Sequence, residues 1–296
     1  MERLGGTGSG LLDGLAGLTA RWSVLTAIGT FMLYLAGYLA LRFQLSMYGV
    51  VTNLDVLDEK YLFAGCRFFV YLVSCVPNVL LLVLIFGFLL YLPYRLLPKS
   101  LRDALENRLS IALRKPNALL LIGVVAGLAL VQFVLRNSFD YGNVLFRKDL
   151  PPHEWVNAIL LGTRGMRALY FTGLVAGVLL TCGLLVAALR FAPLGTSLSR
   201  ALLAVLAFLV AVEWLLLPVN YGILIDSQNL PRLAAPTCTW LVWENRDVLT
   251  YFVREAGDRR SLLTVPRKDN TVKVVGEDAI FQVLFRGGRE SSCAPQ

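Results

Sequence analysis

Apolar residues collect in five long runs, at residues 24–43, 62–92, 118–135, 168–189 and 201–225, each closed off by charge at its ends. About 20 apolar residues make a helix long enough to cross a bilayer, and soluble cores seldom need runs of that length. The pattern predicts five spanning helices. The second run exceeds a single crossing, since roughly 30 residues make about 45 Å of helix. Pro77 lies inside it and Pro93 near its end. A kink at Pro77 is expected, and its freed backbone carbonyl must find a partner on a neighbouring helix or polar side chain.

Between the second and third runs the period changes. Ser100 and Asp103 resemble a helix-capping pair, and Leu101, Leu105, Leu109 and Leu113 recur at helical spacing with basic residues between. This predicts an amphipathic helix near residues 100–114 lying on a membrane surface. The loop 137–167 carries a similar short segment at 154–161, where Trp155 suits the headgroup level.

From residue 229 the chain reads differently. Short β-branched and aromatic runs at 238–244, 248–255, 261–267, 271–276 and 279–285 alternate with turn-rich gaps. They predict a small antiparallel sheet or partly open barrel, with the last run as a strand or a short helix. Pro266 makes the third run an edge strand or breaks it. A unit of about 65 residues is marginal alone, so it must lean on the helices, a partner or a disulfide. The expected fold is an all-α transmembrane bundle with a small C-terminal antiparallel β domain. The divisions are an interfacial, flexible tail at 1–22, a five-helix domain at 23–228 and the β domain at 229–296.

Composition agrees. Charged residues are 16% of the chain and hydrophobic ones 56%, where soluble domains run near 25% charged; the mean hydropathy is +0.64. The net charge of +8 points to anionic membrane lipids rather than nucleic acid, because no basic-aromatic module accompanies it. Arg95, Lys99, Arg102, Arg108, Arg114 and Lys115 crowd the connection between the second and third runs. That excess predicts a cytoplasmic N-terminus and an outside C-terminal domain in a plasma or bacterial inner membrane. Arg42, Lys60, Arg67, Arg136, Arg147, Lys148, Arg164 and Arg167 fall on the opposite side and narrow the margin. The start of the chain lacks a cleavable signal pattern, so the first span is expected to direct its own insertion. Residues 6–10 are glycine-rich but lack the Lys-Ser/Thr ending of a phosphate loop.

Cys66, Cys75 and Cys182 fall within spans, leaving Cys238 and Cys293 in the C-terminal region. An oxidising compartment would favour pairing these two; the alternative is two separate free thiols.

Two spans carry the same packing motif, Gly123-Val-Val-Ala-Gly127 and Gly173-Leu-Val-Ala-Gly177. Glycines four apart share a face and let helix backbones approach closely. The third and fourth spans are therefore expected to form the tight pair, or one face to build an oligomer. Glu213, inside the fifth run, is the sharpest polar signal, because an unpaired acid at that depth costs about 3 kcal/mol or more. Arg67 is its expected partner. Gln132, Asn220, Arg42 and Arg136 reach a similar depth, and Asn78 lies nearer the centre. One reading is a polar vestibule for an ion, proton or small solute, helped by a helix break at Pro218. The other is a structural knot that holds helix register. Asp55, Asp58 and Glu59 beside Lys60 lack a calcium-loop pattern and suit a helix N-terminus better.

No catalytic residue, cofactor or metal ligand is expected. The single histidine, His153, has no companions for a zinc site and no nucleophile motif around it. The expected function is a non-catalytic integral membrane subunit. It assembles with itself or partner membrane proteins through the glycine faces and the β domain, where Trp240, Trp243, Tyr251 and Phe252 are candidate contacts, half of them needed for the domain's own core. The alternative is an ion channel or transporter with a polar site around Glu213.

Overall fold

The structure, a computed structural model, describes residues 8–50, 59–113, 116–191, 196–226, 229–234, 238–255, 258–267 and 273–285; for 8–21, 105, 108–113, 116, 137–139 and 191 it describes the backbone alone. Asp55, Asp58 and Cys293 lie outside the described residues.

The apolar runs form helices α1 (Gly8–Tyr48), α2 (Glu59–Leu96), α4 (Pro116–Phe139), α6 (Arg164–Phe191) and α7 (Ser197–Tyr221). All five are long and apolar enough to cross a membrane. The surface-helix pattern becomes α3 (Lys99–Leu113), folded back so that Arg102 stacks over the Tyr94 ring and the Tyr94 hydroxyl bonds Glu106. The segment after Pro152 becomes α5 (Glu154–Leu160), with Trp155 82% exposed. α7 is capped by Thr196, whose hydroxyl accepts the Ser199 amide at 3.2 Å, the ordinary way to satisfy a first-turn donor. α2 is a single helix that includes both Pro77 and Pro93. α7 likewise passes Pro218 and then widens into one π turn at Gly222–Asp226.

The closest helix approaches are not those the repeated glycine motif suggests. α1 and α2 are the most extensively packed helix pair, and α4 packs on α7 more than on α6. A β-carbon added at Gly37 would strike the Tyr61 carbonyl, one at Gly65 the Leu33 carbonyl, and one at Gly222 the Ala40 carbonyl. Each obstacle is backbone, which cannot swing aside. These three glycines therefore set how near α1 comes to α2 and to the end of α7. Gly123 and Gly127 face α7: their added β-carbons would lie 2.9 Å from Leu206 and 3.3 Å from Leu209. Gly177 faces the movable Leu130 side chain of α4 at 3.2 Å, and Gly173 meets nothing within 4 Å. The expected α4–α6 glycine zipper is thus replaced by an α4–α7 contact, because only one of the two motifs has a helix against its full face.

The C-terminal part is a five-stranded antiparallel sheet, ordered β4-β3-β2-β1-β5. It comprises β1 (Asn229–Leu233), β2 (Thr239–Glu244), β3 (Val248–Arg254), β4 (Arg260–Pro266) and β5 (Val274–Ala279), followed by α8 (Ile280–Phe285). The last apolar run is thus a helix. β4 is an edge strand ending on Pro266, where a missing amide harms least. The pattern did not reveal β1, since Pro231 and Arg232 interrupt any alternation. It is nevertheless an inner strand, paired with β5 through Asn229–Leu233 but with β2 only at Arg232 opposite Trp240.

One buried cluster joins sheet and helices. It contains Leu45 and Tyr48 of α1, Tyr61 of α2, Leu145 of the connecting loop, Ile223 of the π turn, and Trp240, Phe252 and Phe281 of the C-terminal part. Trp240 and Phe252 are fully buried, and Trp243 and Tyr251 are only 8% exposed. Half of these four candidate contact aromatics were expected to fill the domain's own core; all four are buried there. Polar ties reinforce the seam. Lys60 donates to the Glu244 carbonyl and lies 4.6 Å from the Trp243 ring centroid. Arg260 donates to the carbonyls of Leu145 at 2.9 Å and Arg147 at 2.6 Å, while Asp258 grips it at 3.0 Å. The small sheet does not have to be stable alone, because the ends of the helices complete its core.

The backbone contacts at Gly37 and Gly65 predict a sign difference. Gly37→Ala and Gly65→Ala are each expected to lose about 1–3 kcal/mol through overpacking, whereas Gly173→Ala should be neutral or gain up to about 1 kcal/mol in helix propensity. Equilibrium unfolding in detergent reads all three. Burial alone would raise the Asp258 carboxyl, but the Arg260 hydrogen bond and the Arg260 and Arg254 charges hold it below the usual carboxylate range. A depressed folded value adds stability above the unfolded value near pH ~3.9 and loses it as pH falls through the folded one. Proteolytic resistance of the sheet is therefore expected to drop below about pH 4 in the native chain, with a smaller drop in Asp258→Asn.

Candidate functional site

Two polar places stand out. The first is the surroundings of Glu213. Glu213 is 2% exposed on α7, the third position after Val210 on a face that meets α4 and α6. Its Oε2 accepts the Thr181 hydroxyl of α6. Its Oε1 has no hydrogen-bond partner and lies 3.3 Å from the β-carbon position of Gly127. The absent side chain at Gly127 makes the room the carboxyl occupies. A cavity of only about 10 Å3 adjoins it, lined by Glu213, Asn220 and seven apolar residues including Val131 and Val178. Such a space holds about one water. Asn220, 2% exposed, donates to the Leu216 carbonyl of its own helix at 3.0 Å.

The expected partners are elsewhere. Arg67 does not reach Glu213; it pairs with Asp226 at 3.5 Å, with its own side chain 62% exposed. Arg67 starts two turns into α2 and faces the sheet end of the bundle, whereas Glu213 lies over two turns before Tyr221, where α7 ends. Asn78 and Gln132 are exposed on the outside of α2 and α4. The five residues expected to make one polar site thus separate: Glu213 and Asn220 line one small cavity, Arg67 another, and Asn78 and Gln132 neither.

The second place is a cleft of about 580 Å3 between the sheet end of the bundle and the sheet itself. Its bundle side carries Lys60 and Arg67 from α2, Arg164 and Arg167 from α6, and Asp226 from the π turn; Glu244 and Glu277 line the sheet side. Asp226 is the pivot. Its carboxylate faces Arg67 and its carbonyl accepts the Gln44 amide of α1 at 3.1 Å. Arg167 is 8% exposed and points one guanidinium nitrogen to the Gly162 carbonyl at 3.5 Å. Tyr71 and Tyr221, a tilted ring pair with centroids 5.3 Å apart, complete the lining.

The pattern-based reading overlooked three parts of this. Asp226 follows the fifth run directly, so it resembled a boundary charge. Arg164 and Arg167 counted only toward topology, although their spacing of three places them on one helical face. Thr181, a hydroxyl in the middle of the fourth run, was the available signal for a partner to Glu213.

Elsewhere, His153 precedes α5 and bonds Asp140 through Nε2. Cys238 is disulfide-bonded and Cys66, Cys75 and Cys182 are free thiols. Glu59 pairs loosely with Arg246 at 3.9 Å. Among the described residues no group of three His, Cys, Asp or Glu side chains gathers as for a metal. No protein-family model matches the chain, and it matches neither a curated protein nor a solved structure.

The geometry at Glu213 makes the hydroxyl more critical than the acid. Thr181→Val leaves the buried carboxyl without its donor and should cost about 1–3 kcal/mol. Glu213→Leu, which removes the polar group altogether, is expected to cost less or to stabilise. Unfolding midpoints of the two variants in the same detergent test this, and the opposite order would contradict it.

Proposed function

We propose that this chain is a non-catalytic, multi-pass membrane protein that works as a subunit, assembling with itself or with partner membrane proteins. The observation that supports the reading most is apolar surface left uncovered by the chain itself. Residues 22–32 of α1 are exposed throughout, and residues 80–92 of α2 nearly so, including Phe31, Leu84, Phe88 and Leu90. In water such surface would aggregate; in a bilayer it faces lipid or other helices. The rest of the chain leaves these two lengths of helix uncovered, which leaves room there for another chain.

The basic connection between α2 and α4 supports a cytoplasmic N-terminus, with the sheet on the outer side of a plasma or bacterial inner membrane. The bonded Cys238 fits an oxidising compartment there. The β domain contributes to assembly through its exposed edge and through Leu263, Val274 and Val275, each about half exposed, since its large aromatics are internal.

A second reading, an ion channel or transporter built around Glu213, draws on the free carboxyl oxygen. A cavity of about 10 Å3 supports a structural knot rather than a conducting path.

Native mass spectrometry of the protein extracted gently from its own membrane tests the proposal. A homo- or hetero-oligomer is expected, and a monomer surviving in every mild detergent would defeat it. The second reading requires ion flux from reconstituted vesicles that changes in Glu213→Gln; absence of flux in both forms removes it.

A further inference from the structure

We propose that the cleft between bundle and sheet binds a phosphate group, of the kind carried by a phospholipid headgroup or by a soluble phosphate ester. The inference goes beyond the assembly role and does not depend on it.

The argument begins with the balance of charge. Lys60, Arg67, Arg164 and Arg167 all line the cleft. Of the acids that share it, Asp226 is engaged by Arg67 at 3.5 Å. The Glu244 carboxylate is drawn to Arg267 at 2.9 Å, and Arg267 is not part of the lining. Glu277 is exposed on the sheet side. Among the described residues no carboxylate lies within salt-bridge range of Arg164. Positive charge therefore outweighs negative on the bundle side.

Helix geometry adds to it. α6 begins at Arg164, and Arg164 lines the cleft, so the positive end of that helix lies beside the same space. Arg164 and Arg167 sit one turn apart, and Arg167, 92% removed from solvent, is held in place rather than waving in water. Like charges gathered at one cleft repel one another, and an anion between them relieves that repulsion. Their planar forks match phosphate oxygens two at a time, and a phosphate has oxygens enough for more than one fork. The volume of about 580 Å3 falls in the range of small-molecule sites. Arg67 and Arg164 are exposed at the rim, so a ligand has a way in.

The position suggests why a lipid would reach it. These arginines lie within the first three turns of α2 and α6, about 12 Å or less from the helix ends. That is headgroup depth if the helices span a bilayer.

The test uses the full-length protein in detergent after delipidation, with thermal unfolding as the readout. Three probes are titrated: a short-chain phosphatidylglycerol, the diacylglycerol of the same chains, and inorganic phosphate. The phospholipid is expected to raise the unfolding temperature and the diacylglycerol to leave it unchanged. In Arg164→Gln the half-saturating concentration should rise about tenfold, as for loss of one charge-assisted contact. Arg164→Lys should fall between, and Arg147→Gln, which removes an exposed charge outside the cleft, should behave as the parent. Stabilisation by phospholipid alone identifies a headgroup as the source; stabilisation by inorganic phosphate as well identifies a free anion site. Equal response to phospholipid and diacylglycerol with none to inorganic phosphate overturns the proposal, and this comparison needs only the parent protein. An unchanged half-saturation in a folded Arg164→Gln overturns it too.

Discussion

The arrangement depends on how closely α1 approaches its neighbours. Gly37, Gly65 and Gly222 each place a missing side chain against a backbone carbonyl of α1 or α2. Helices in lipid gain little from hydrophobicity when they meet, so contact area and backbone proximity must hold them. Glycine supplies both by letting two backbones touch along several residues. Without those approaches α1 would stand further from α2 and from the π turn, and the cluster that includes Leu45, Tyr48, Tyr61 and Ile223 would open. The sheet rests on that cluster, so the α1 contacts reach the C-terminal part of the chain as well.

The seam between bundle and sheet follows from the same economy of size. Five short strands cannot bury enough surface for themselves. They borrow the ends of α1, α2 and α7 and the loop through Leu145, and they are fastened by cations rather than by more apolar area. Lys60 reaches Glu244, and Arg260 reaches two loop carbonyls. A consequence is that charged groups collect where the two parts meet. The cleft lined by Arg67, Arg164, Arg167 and Asp226 is the space those groups enclose.

Glu213 shows the opposite use of a polar group. It is surrounded by α4, α6 and α7 and satisfied on one oxygen by Thr181, in a niche made by Gly127. A buried polar pair of this type adds little net stability but penalises any shift of one helix along another, because sliding would strand the carboxyl. The cleft is large, rimmed by exposed arginines and crossed by several elements, whereas the Glu213 niche is small and closed. The two differ in depth and in volume, and so in what each is suited to do.

Much of the fold was legible in the pattern of residues. Five apolar runs of 18 residues or more became five long helices, the leucine spacing at 101–113 marked a further helix, and four of five strand or helix segments after residue 238 matched their runs. These features are local: each follows from what lies within a turn or two of itself. Partner choice was not local. The repeated glycine motif named faces that suit close packing, but not which helix would fill them. Gly123 and Gly127 met α7, Gly173 met nothing, and the decisive glycines at 37, 65 and 222 sit in no motif at all. Likewise Arg67 and Glu213 looked like natural ion-pair partners by type and approximate depth. Only the rotation and offset of α2 against α7 gave Arg67 to Asp226 and Glu213 to Thr181. Sequence spacing determines length, periodicity and which residues share a face; the angles between helices, and so which faces meet, come from how all the side chains pack together.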